Sequence, residues 1–465
     1  MNTLLFRNIR SSFVAQLSSI FVSIGMGLIL PRFLSVEDYG YWQLFVIYSV
    51  CFELLLLGVP NGFFLKNAGR ANSDYSYLKS ALVALMVINI AVSIIVFLFT
   101  DKEELEAFVY YWLSIAIVII NSGTFFSYIL RSENDVSFDC TATILLNLSI
   151  LVGLSILFYF NLNDIYLVIE IYVLSFVIRD VLLFWRKRVL FCAKTVFTNA
   201  FLKDLISDIK MGIKALLIDY TNILMFGICR LMCKSDMGVI IFSMLSFALS
   251  LVILAINFVN QVGLSILPAL RQLDENSIRD SYIKLRNFTS NLFLTLMITY
   301  KPAAFVLSLW LPKYAESFVF ILILFPLIIY DGKMQTVFSL FLKLLRKETL
   351  LLKINMVYLF CSVIVYYLIV HFTHDIKCII FSILILAIVR STIVEFLISK
   401  LIKVANFKRK IFLEIATGGI FLAVNFVSDG WLAWACFTVF YVFTFYYNSK
   451  KCRIEDTKVL LNESK

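Results

Sequence analysis

Fourteen separate apolar runs, each near the length that a bilayer requires, constrain this chain more than any other feature of its sequence. A transmembrane helix needs about 20 mostly apolar residues to cross roughly 30 Å of hydrocarbon. The chain is 61% hydrophobic and 15% charged, whereas a soluble domain carries about 25% charged residues and could not bury so much apolar surface. The sequence therefore predicts an all-α polytopic membrane protein with about 14 transmembrane helices. The runs are 12–30, 42–63, 80–99, 106–130, 139–160, 164–185, 211–231, 237–263, 287–311, 317–342, 351–371, 377–399, 411–427 and 430–447.

Lys and Arg residues divide unequally between the two sets of connecting segments. With a cytoplasmic N-terminus, and with residues at the ends of runs counted with the adjoining segment, 31 of the 41 fall on the cytoplasmic side, 6 on the outer side and the other four deeper within runs. Cytoplasmic loops of membrane proteins carry an excess of Lys and Arg. The pattern predicts a multi-pass protein of the bacterial inner membrane with both termini in the cytoplasm. It also explains the net charge of +10 without a nucleic-acid partner.

The longest polar connection, 186–210, divides the chain after the sixth run. Arg32, Asp38 and Gly40 follow the first run, and Arg, Asp and Gly recur 198 residues later in the segment 230–238. The alternative to an internal repeat is that Asp-x-Gly is common turn chemistry. The predicted layout is an N-terminal six-helix lobe (1–185), a cytoplasmic linker or interfacial helix (186–210), a second six-helix lobe (211–400), two additional transmembrane helices (401–448) and a cytoplasmic tail (449–465).

The segment from Leu30 to Tyr41, LPRFLSVEDYGY, resembles the opening of bacterial polysaccharide-export flippases of the multidrug/oligosaccharidyl-lipid/polysaccharide exporter superfamily. The stretch Ile266–Leu270, ILPAL, is similar to a second feature of that family. The span number and the six-plus-six-plus-two layout extend the resemblance over most of the chain.

The resemblance implies a flippase that moves undecaprenyl-diphosphate-linked oligosaccharide units, for O-antigen or another surface polysaccharide, from the inner to the outer leaflet. It implies alternating access without covalent chemistry, so no catalytic residues are expected. A polysaccharide polymerase and a chain-length regulator are the implied partners. Two alternatives stay open: a membrane-embedded polysaccharide polymerase or glycosyltransferase, and a multidrug exporter of the same superfamily.

Basic residues within the apolar runs are candidates for binding a diphosphate headgroup. An ionisable residue deep in the membrane suggests a functional site, because burying a charge there is costly. Arg and Lys both bind phosphate oxygens. The predicted headgroup residues are Arg390, Lys301 and Lys333, together with Arg7, Arg10, Lys66 and Lys214 at the cytoplasmic mouth. The alternative is internal pairing, of Asp331 with Lys333 or of Arg390 with Glu395.

Polar residues in the first two runs of each lobe are expected, by the resemblance, to line the cavity and to contact sugar hydroxyls. These residues are Gln16, Gln43, Asn61, Asp219, Asn222, Asn257, Asn260 and Gln261. Hydrogen bonding between helices is the alternative, since polar residues in membrane bundles do this routinely.

Transport of a bulky anion needs an energy source, and the sequence contains no nucleotide-binding motif. We therefore expect no cofactor and a proton or sodium gradient as the driving force. Glu53, midway along the second run, and Asp219 are the candidates for ion coupling, because burial favours the neutral form of a carboxyl group. His371 and His374 are the two histidines of the chain, and without further ligands they predict no metal site.

Overall fold

The computed structural model describes residues 2–67, 74–98, 104–270, 275–402, 404, 407–428 and 430–444, with side chains omitted at 2–6, 260–270 and 275–277. The first ten helices are α1 (Asn2–Ile24), α2 (Leu30–Phe33), α3 (Val36–Cys51), α4 (Val59–Asn67), α5 (Tyr75–Leu98), α6 (Glu104–Ser132), α7 (Val136–Tyr159), α8 (Ile165–Arg186), α9 (Val189–Cys192) and α10 (Asn199–Met237). The others are α11 (Val239–Leu270), α12 (Glu275–Leu296), α13 (Tyr300–Trp310), α14 (Ser317–Leu324), α15 (Leu327–Lys333), α16 (Ser339–Leu344), α17 (Glu348–Thr373), α18 (Ile376–Leu401), α19 (Phe407–Val427) and α20 (Trp431–Thr444).

Helices occupy every one of the predicted apolar runs. Within the described ranges, eleven helices are long and apolar enough to cross a membrane. The pair Ser317–Leu324 and Leu327–Leu344 forms one further crossing with a 49° bend. The two remaining runs coincide with α8, which carries several charges, and with the shorter α20. The predicted all-α polytopic membrane fold is confirmed.

The chain forms two compact units. Unit 1 comprises Met1–Ser250 and Glu348–His374, and unit 2 comprises Leu251–Lys347 and Asp375–Lys465. Each unit combines segments that are distant in sequence, because α17 packs against α10 in unit 1 and α18 packs against α14 and α15 in unit 2. The division into six-helix lobes that we derived from the sequence stays a prediction.

Within the predicted linker or interfacial helix at 186–210, the part from Asn199 onward continues into the following span without a break. The short α9 is followed by extended chain, and the side chain of Thr198 accepts a hydrogen bond from the amide of Phe201 at the start of α10. At 1.5 Å per residue, the 39 residues of α10 extend over about 58 Å, roughly twice the hydrocarbon thickness. Phe201 lies in the core of unit 1, while Leu202 is exposed. The apolar spacing of this segment therefore belongs to the first turns of a long span.

The two copies of the Arg–Asp–Gly pattern adopt different local structures. In the first, Ser35 caps α3 through the amide of Asp38, at 3.0 Å. In the second, the predicted loop is wrong, because α10 continues through Met237 and turns only at Gly238, with φ 87°. The apolar residues between Arg230 and Lys234 extend the helix, so Arg230 lies inside a span rather than in an outer loop.

Candidate functional site

The second predicted span is a broken helix. Between α3 and α4 the chain makes a 3₁₀ turn at Phe52–Leu56, and then Leu57 and Gly58 adopt left-handed φ values of 52° and 75°. A left-handed conformation costs a non-glycine residue about 1–2 kcal/mol. Strain of this kind persists only where the surrounding structure holds it in place. In transporters, discontinuous membrane helices commonly form substrate and ion sites.

Two buried asparagines stabilise the break. Asn121 on α6 donates a hydrogen bond to the carbonyl oxygen of Phe52, at 2.9 Å. Its side-chain amide also contacts the side-chain oxygen of Asn89 on α5. Both asparagines are almost fully buried. A helix break leaves carbonyl groups without their usual partners, and in hydrocarbon these must be satisfied by protein. The break is therefore a built feature of unit 1.

Polar side chains gather around this break, and we call them the Glu53 cluster: Glu53, Asn61, Tyr128, Asp219 and Tyr220. The hydroxyl of Tyr220 on α10 donates to the carboxylate of Glu53. Asn61 on α4 donates to the hydroxyl of Tyr128 on α6, at 2.9 Å. Asp219 and Tyr128 both lie close enough to Glu53 to interact with it electrostatically. Asp219 is exposed, so the cluster has an accessible side. The structure thus brings together three predicted site residues from different helices.

A buried ion pair adjoins the cluster. Arg179 and Asp180 on α8 lie 2.8 Å apart, and the guanidinium of Arg179 stacks on the ring of Phe176 at 4.7 Å. Both side chains press on Gly123, where a Cβ atom would come within 1.9 Å of Arg179. Arg179 also interacts electrostatically with Glu53. This places a cation that is already paired with a carboxylate near the broken span.

The other predicted residues of unit 1 differ in exposure and in their partners. Arg7, Arg10 and Lys214 are exposed. Lys66 forms an ion pair with the buried Asp208, at 2.9 Å. Gln43 donates to the hydroxyl of Tyr39, at 2.7 Å. Gln16 and Asn222 are half-buried. A headgroup role for the exposed cations stays a prediction, while the ammonium of Lys66 is held by Asp208.

Unit 2 contains a charge-balanced group that we call the unit 2 ion cluster: Arg286, Lys333, Glu395 and Glu414. These residues come from α12, α15, α18 and α19, and their side chains are at most 7% exposed. Arg286 lies 2.7 Å from Glu395 and 3.0 Å from Glu414. Lys333 lies 3.0 Å from Glu395 and also bonds Glu414. Ser290 donates a further hydrogen bond to Glu414, at 2.5 Å.

The two internal ion pairs that the sequence suggested, Asp331 with Lys333 and Arg390 with Glu395, are wrong. Each of these residues pairs with a different partner. Asp331 and Lys333 are two residues apart on one helix, and such residues do not face each other. Asp331 instead lies 3.7 Å from Arg390, and Gln335 donates to it at 2.7 Å. Arg390 is 3% exposed and Lys333 is 1% exposed. Lys333 therefore has two buried carboxylates as its partners.

The remaining predicted residues belong to unit 2. Lys301 is half-buried at the start of α13, and Asn257 is exposed on α11. The side chains of Asn260 and Gln261 lie outside the described residues. Headgroup binding by Lys301 and Arg390 stays a prediction.

One of the two histidines, His374, is in contact with a carboxylate. His374, directly after α17, lies 2.8 Å from Asp236 in the last turn of α10. Among the residues described, no group of three or more His, Cys, Asp or Glu side chains is arranged to hold a metal ion.

Sequence reasoning missed several residues that the structure places in these clusters. Glu414 lies inside the run 411–427, and an acidic residue within an apolar segment could have been recognised from the sequence. Arg286 precedes the run 287–311 by one residue and was assigned to a loop. Tyr128, Asn121 and Tyr220 carried no signal, because tyrosine and asparagine are ordinary residues of membrane bundles.

The similarity of this chain to known proteins lies in its fold and not in its sequence. No protein-family model and no curated protein matches the sequence. The fold, however, is similar to those of solved transporters of the MOP superfamily. It is similar to lipid II flippase MurJ in an inward closed conformation, with a TM-score of 0.64 and 14% identity over 95% of this chain and 99% of that chain.

Multidrug transporters share the fold over a smaller part of this chain. An inward-facing MATE family transporter of the MOP superfamily matches with a TM-score of 0.60 and 13% identity, over 84% of this chain and 99% of that chain. A MATE structure in complex with MaL6 matches with a TM-score of 0.54 and 13% identity, over 85% of this chain and 96% of that chain. At identities this low, the structural similarity establishes the fold but does not identify the transported substrate.

Proposed function

We propose that this protein is a flippase that carries an undecaprenyl-diphosphate-linked oligosaccharide from the inner to the outer leaflet by ion-coupled alternating access. The cargo is a unit of O-antigen or of another surface polysaccharide. The protein acts in the bacterial inner membrane, upstream of a polysaccharide polymerase and a chain-length regulator. Both termini lie in the cytoplasm, so reporter fusions at Asn199 and Asn161 should report opposite sides, and the same side for both would refute this orientation.

The extent of the fold match supports a flippase. The lipid II flippase structure covers 95% of this chain, whereas the inward-facing MATE transporter structure covers 84%. The structural neighbours are transporters, which favours transport over polymerisation. The broken span beside Glu53 supports the same function, since such breaks form sites in transporters.

The test is to delete the gene and follow the lipid-linked intermediate. A flippase defect leaves lipid-linked sugar units on the inner leaflet, inaccessible to an enzyme or label added outside. A polymerase defect exposes single units on the outer leaflet. Re-expression of the wild-type chain should restore surface polysaccharide. Normal surface polysaccharide in the deletion strain would exclude the proposed function.

A multidrug exporter is the second candidate, because two MATE structures share the fold over more than four fifths of this chain. The same strain separates the two functions. Sensitivity to cationic drugs with normal polysaccharide indicates an exporter, whereas trapped lipid-linked units without drug sensitivity indicate a flippase.

The role proposed for Glu53 in ion coupling can be tested by substituting this residue. A buried carboxyl group that gains and loses a proton can drive alternation, and the break in the helix exposes Glu53 to Tyr220 and Asp219. Glu53→Gln keeps the shape and the hydrogen bond from Tyr220 but cannot titrate. We expect the variant to insert and to bind substrate, yet to lose proton-driven transport in proteoliposomes. Ser49→Ala, at a buried polar site on the same span whose hydroxyl donates to the carbonyl oxygen of Val46, serves as the control for altered packing.

Transport by Glu53→Gln with an unchanged response to an imposed pH gradient would rule out Glu53 as the coupling residue. Repeating the assay in the presence and absence of sodium distinguishes a proton gradient from a sodium gradient.

A further inference from the structure

Arg230 is a buried cation inside a membrane span that the mechanism described above does not use. It lies on α10, and 7% of its surface is accessible. Its Nε donates to the carbonyl oxygen of Phe226 in the same helix, at 3.1 Å. A hydrogen bond to a helical carbonyl does not neutralise a guanidinium charge.

Arg230 has no carboxylate partner within ion-pair distance among the described side chains. Other embedded cations are paired: Lys234, one turn further along α10, lies 2.8 Å from Glu106, and Lys333 bonds two glutamates. Arg179 has Asp180. A buried charge without a partner is strongly destabilising, because the group has lost its water without gaining a counter-charge. A guanidinium cannot escape this cost by losing its proton.

The surroundings of Arg230 offer further hydrogen-bond donors rather than acids. Tyr39 interacts with Arg230 electrostatically and receives a hydrogen bond from Gln43. On α11, the hydroxyls of Ser243 and Ser246 are buried and have no hydrogen-bond partner among the described residues. Ser243 lies against α3, where a Cβ atom built on Gly40 would be 3.1 Å from its own Cβ. Arg230 and Ser243 thus adjoin α3 at the neighbouring residues Tyr39 and Gly40, and positive charge together with an unpaired hydroxyl suits an anion.

Helical spacing connects this region to the Glu53 cluster. Asp219, Ile223, Phe226 and Arg230 follow the 4-3-4 spacing that places residues on one face of a helix. Asp219 and Ile223 are exposed on that face, whereas Arg230 is buried roughly 16 Å further along the axis. Arg230 is therefore an uncompensated buried cation in line with the exposed Asp219, with Ile223 and Phe226 between them, near the end of α10 that the topology places outside.

We propose that Arg230 binds an oxyanion, the diphosphate of the lipid-linked substrate, at the outer end of its path along α10. This inference rests on the proposed function and specifies where the headgroup is held before release. The planar guanidinium matches phosphate oxygens, and the serine hydroxyls supply additional donors. In the ligand-free protein the unpaired charge lowers stability, and the bound diphosphate provides the missing counter-charge.

The test compares three variants in nanodiscs of zwitterionic lipid: Arg230→Gln, Arg230→Lys and Lys234→Gln. The control Lys234→Gln removes a cation from the same helix that already has a carboxylate partner. The probes are farnesyl diphosphate, farnesol and inorganic diphosphate, and the readouts are affinity and unfolding temperature. We expect Arg230→Gln to weaken binding of farnesyl diphosphate by about tenfold or more, since bonds to charged groups are strong. Arg230→Lys should show an intermediate loss, and Lys234→Gln should bind normally.

Stability separates a binding residue from a structural one. The ligand-free Arg230→Gln protein should unfold at the wild-type temperature or above, because the substitution removes an unpaired buried charge. A lower unfolding temperature with unchanged affinity would make Arg230 structural and overturn the proposal. Equal protection of the wild type by farnesol would exclude an oxyanion, and equal protection by inorganic diphosphate would exclude a lipid-linked one. These measurements use purified protein, so they are independent of the deletion strain that tests the proposed function.

Discussion

Replacement of Lys333 by Met should destabilise the protein severely, and a second replacement of Glu414 by Gln should restore much of the loss. Lys333 bonds Glu395 and Glu414 in a group whose four charges cancel. Removing the ammonium leaves two carboxylates with Arg286 alone, hence a net negative charge away from water. Breaking a buried pair in this way costs about 3–5 kcal/mol. The second substitution removes one carboxylate and returns the group to neutrality.

The measurement is the unfolding temperature of the purified variants in one detergent, analysed as a double-mutant cycle of Lys333→Met and Glu414→Gln. Each single variant should be less stable than the double variant. Lys353→Met, at an exposed position on α17, should leave stability unchanged. A Lys333→Met protein that is as stable as the wild type but no longer binds a prenyl diphosphate would instead support the headgroup role that the sequence suggested for Lys333.

Positions of the membrane helices could be predicted from the sequence because hydrocarbon imposes a simple length rule. The run 317–342 was recognised although Asp331 and Lys333 interrupt it, and the structure shows a bent pair of helices there. The run 42–63 also coincides with helical structure, but its interior break was not foreseen. A usable signal was present, because Gly58 precedes Pro60, and proline is favoured in the first turn of a helix.

Contacts between distant segments could not be predicted in the same way. Lys333 and Glu414 are 81 residues apart, and their pairing depends on how α15 and α19 are rotated. Hydropathy does not encode that rotation in a membrane, where lipid and protein are both apolar. Glu53 was identified from its depth alone, whereas its hydrogen bond with Tyr220 depends on the packing of α4 and α3 against α10. The acidic and amide residues of the Glu53 cluster could thus be predicted from the sequence, whereas its two tyrosines and its geometry could not.

Substitution of Gly212 by Val should prevent folding or destabilise unit 1 strongly, because α4 and α10 are in contact through their backbones. A Cβ atom on Gly212 would lie 1.8 Å from the carbonyl oxygen of Gly58, and one on Gly62 would lie 2.0 Å from that of Asp208. Gly58 and Gly62 form a GxxxG motif, which lets membrane helices approach closely. Extra atoms in a packed core cost about 1–3 kcal/mol when side chains can adjust. At Gly212 the added atoms would meet backbone, which cannot move aside as a side chain can. We therefore expect a loss of folding stability at or above the upper end of that range.

Gly27→Ala is the matched control, since a Cβ atom there meets nothing within 4 Å. It should insert and unfold like the wild type in a protease-resistance or thermal assay, whereas Gly212→Val and Gly62→Val should lose the folded form. The same contact sets the position of the broken span, because α4 follows directly on the left-handed Leu57 and Gly58. A milder Gly212→Ala variant that still folds should therefore shift Glu53 relative to Tyr220 and reduce transport more than it reduces stability. Wild-type stability in Gly212→Val would show that α4 and α10 do not make this backbone contact in the membrane.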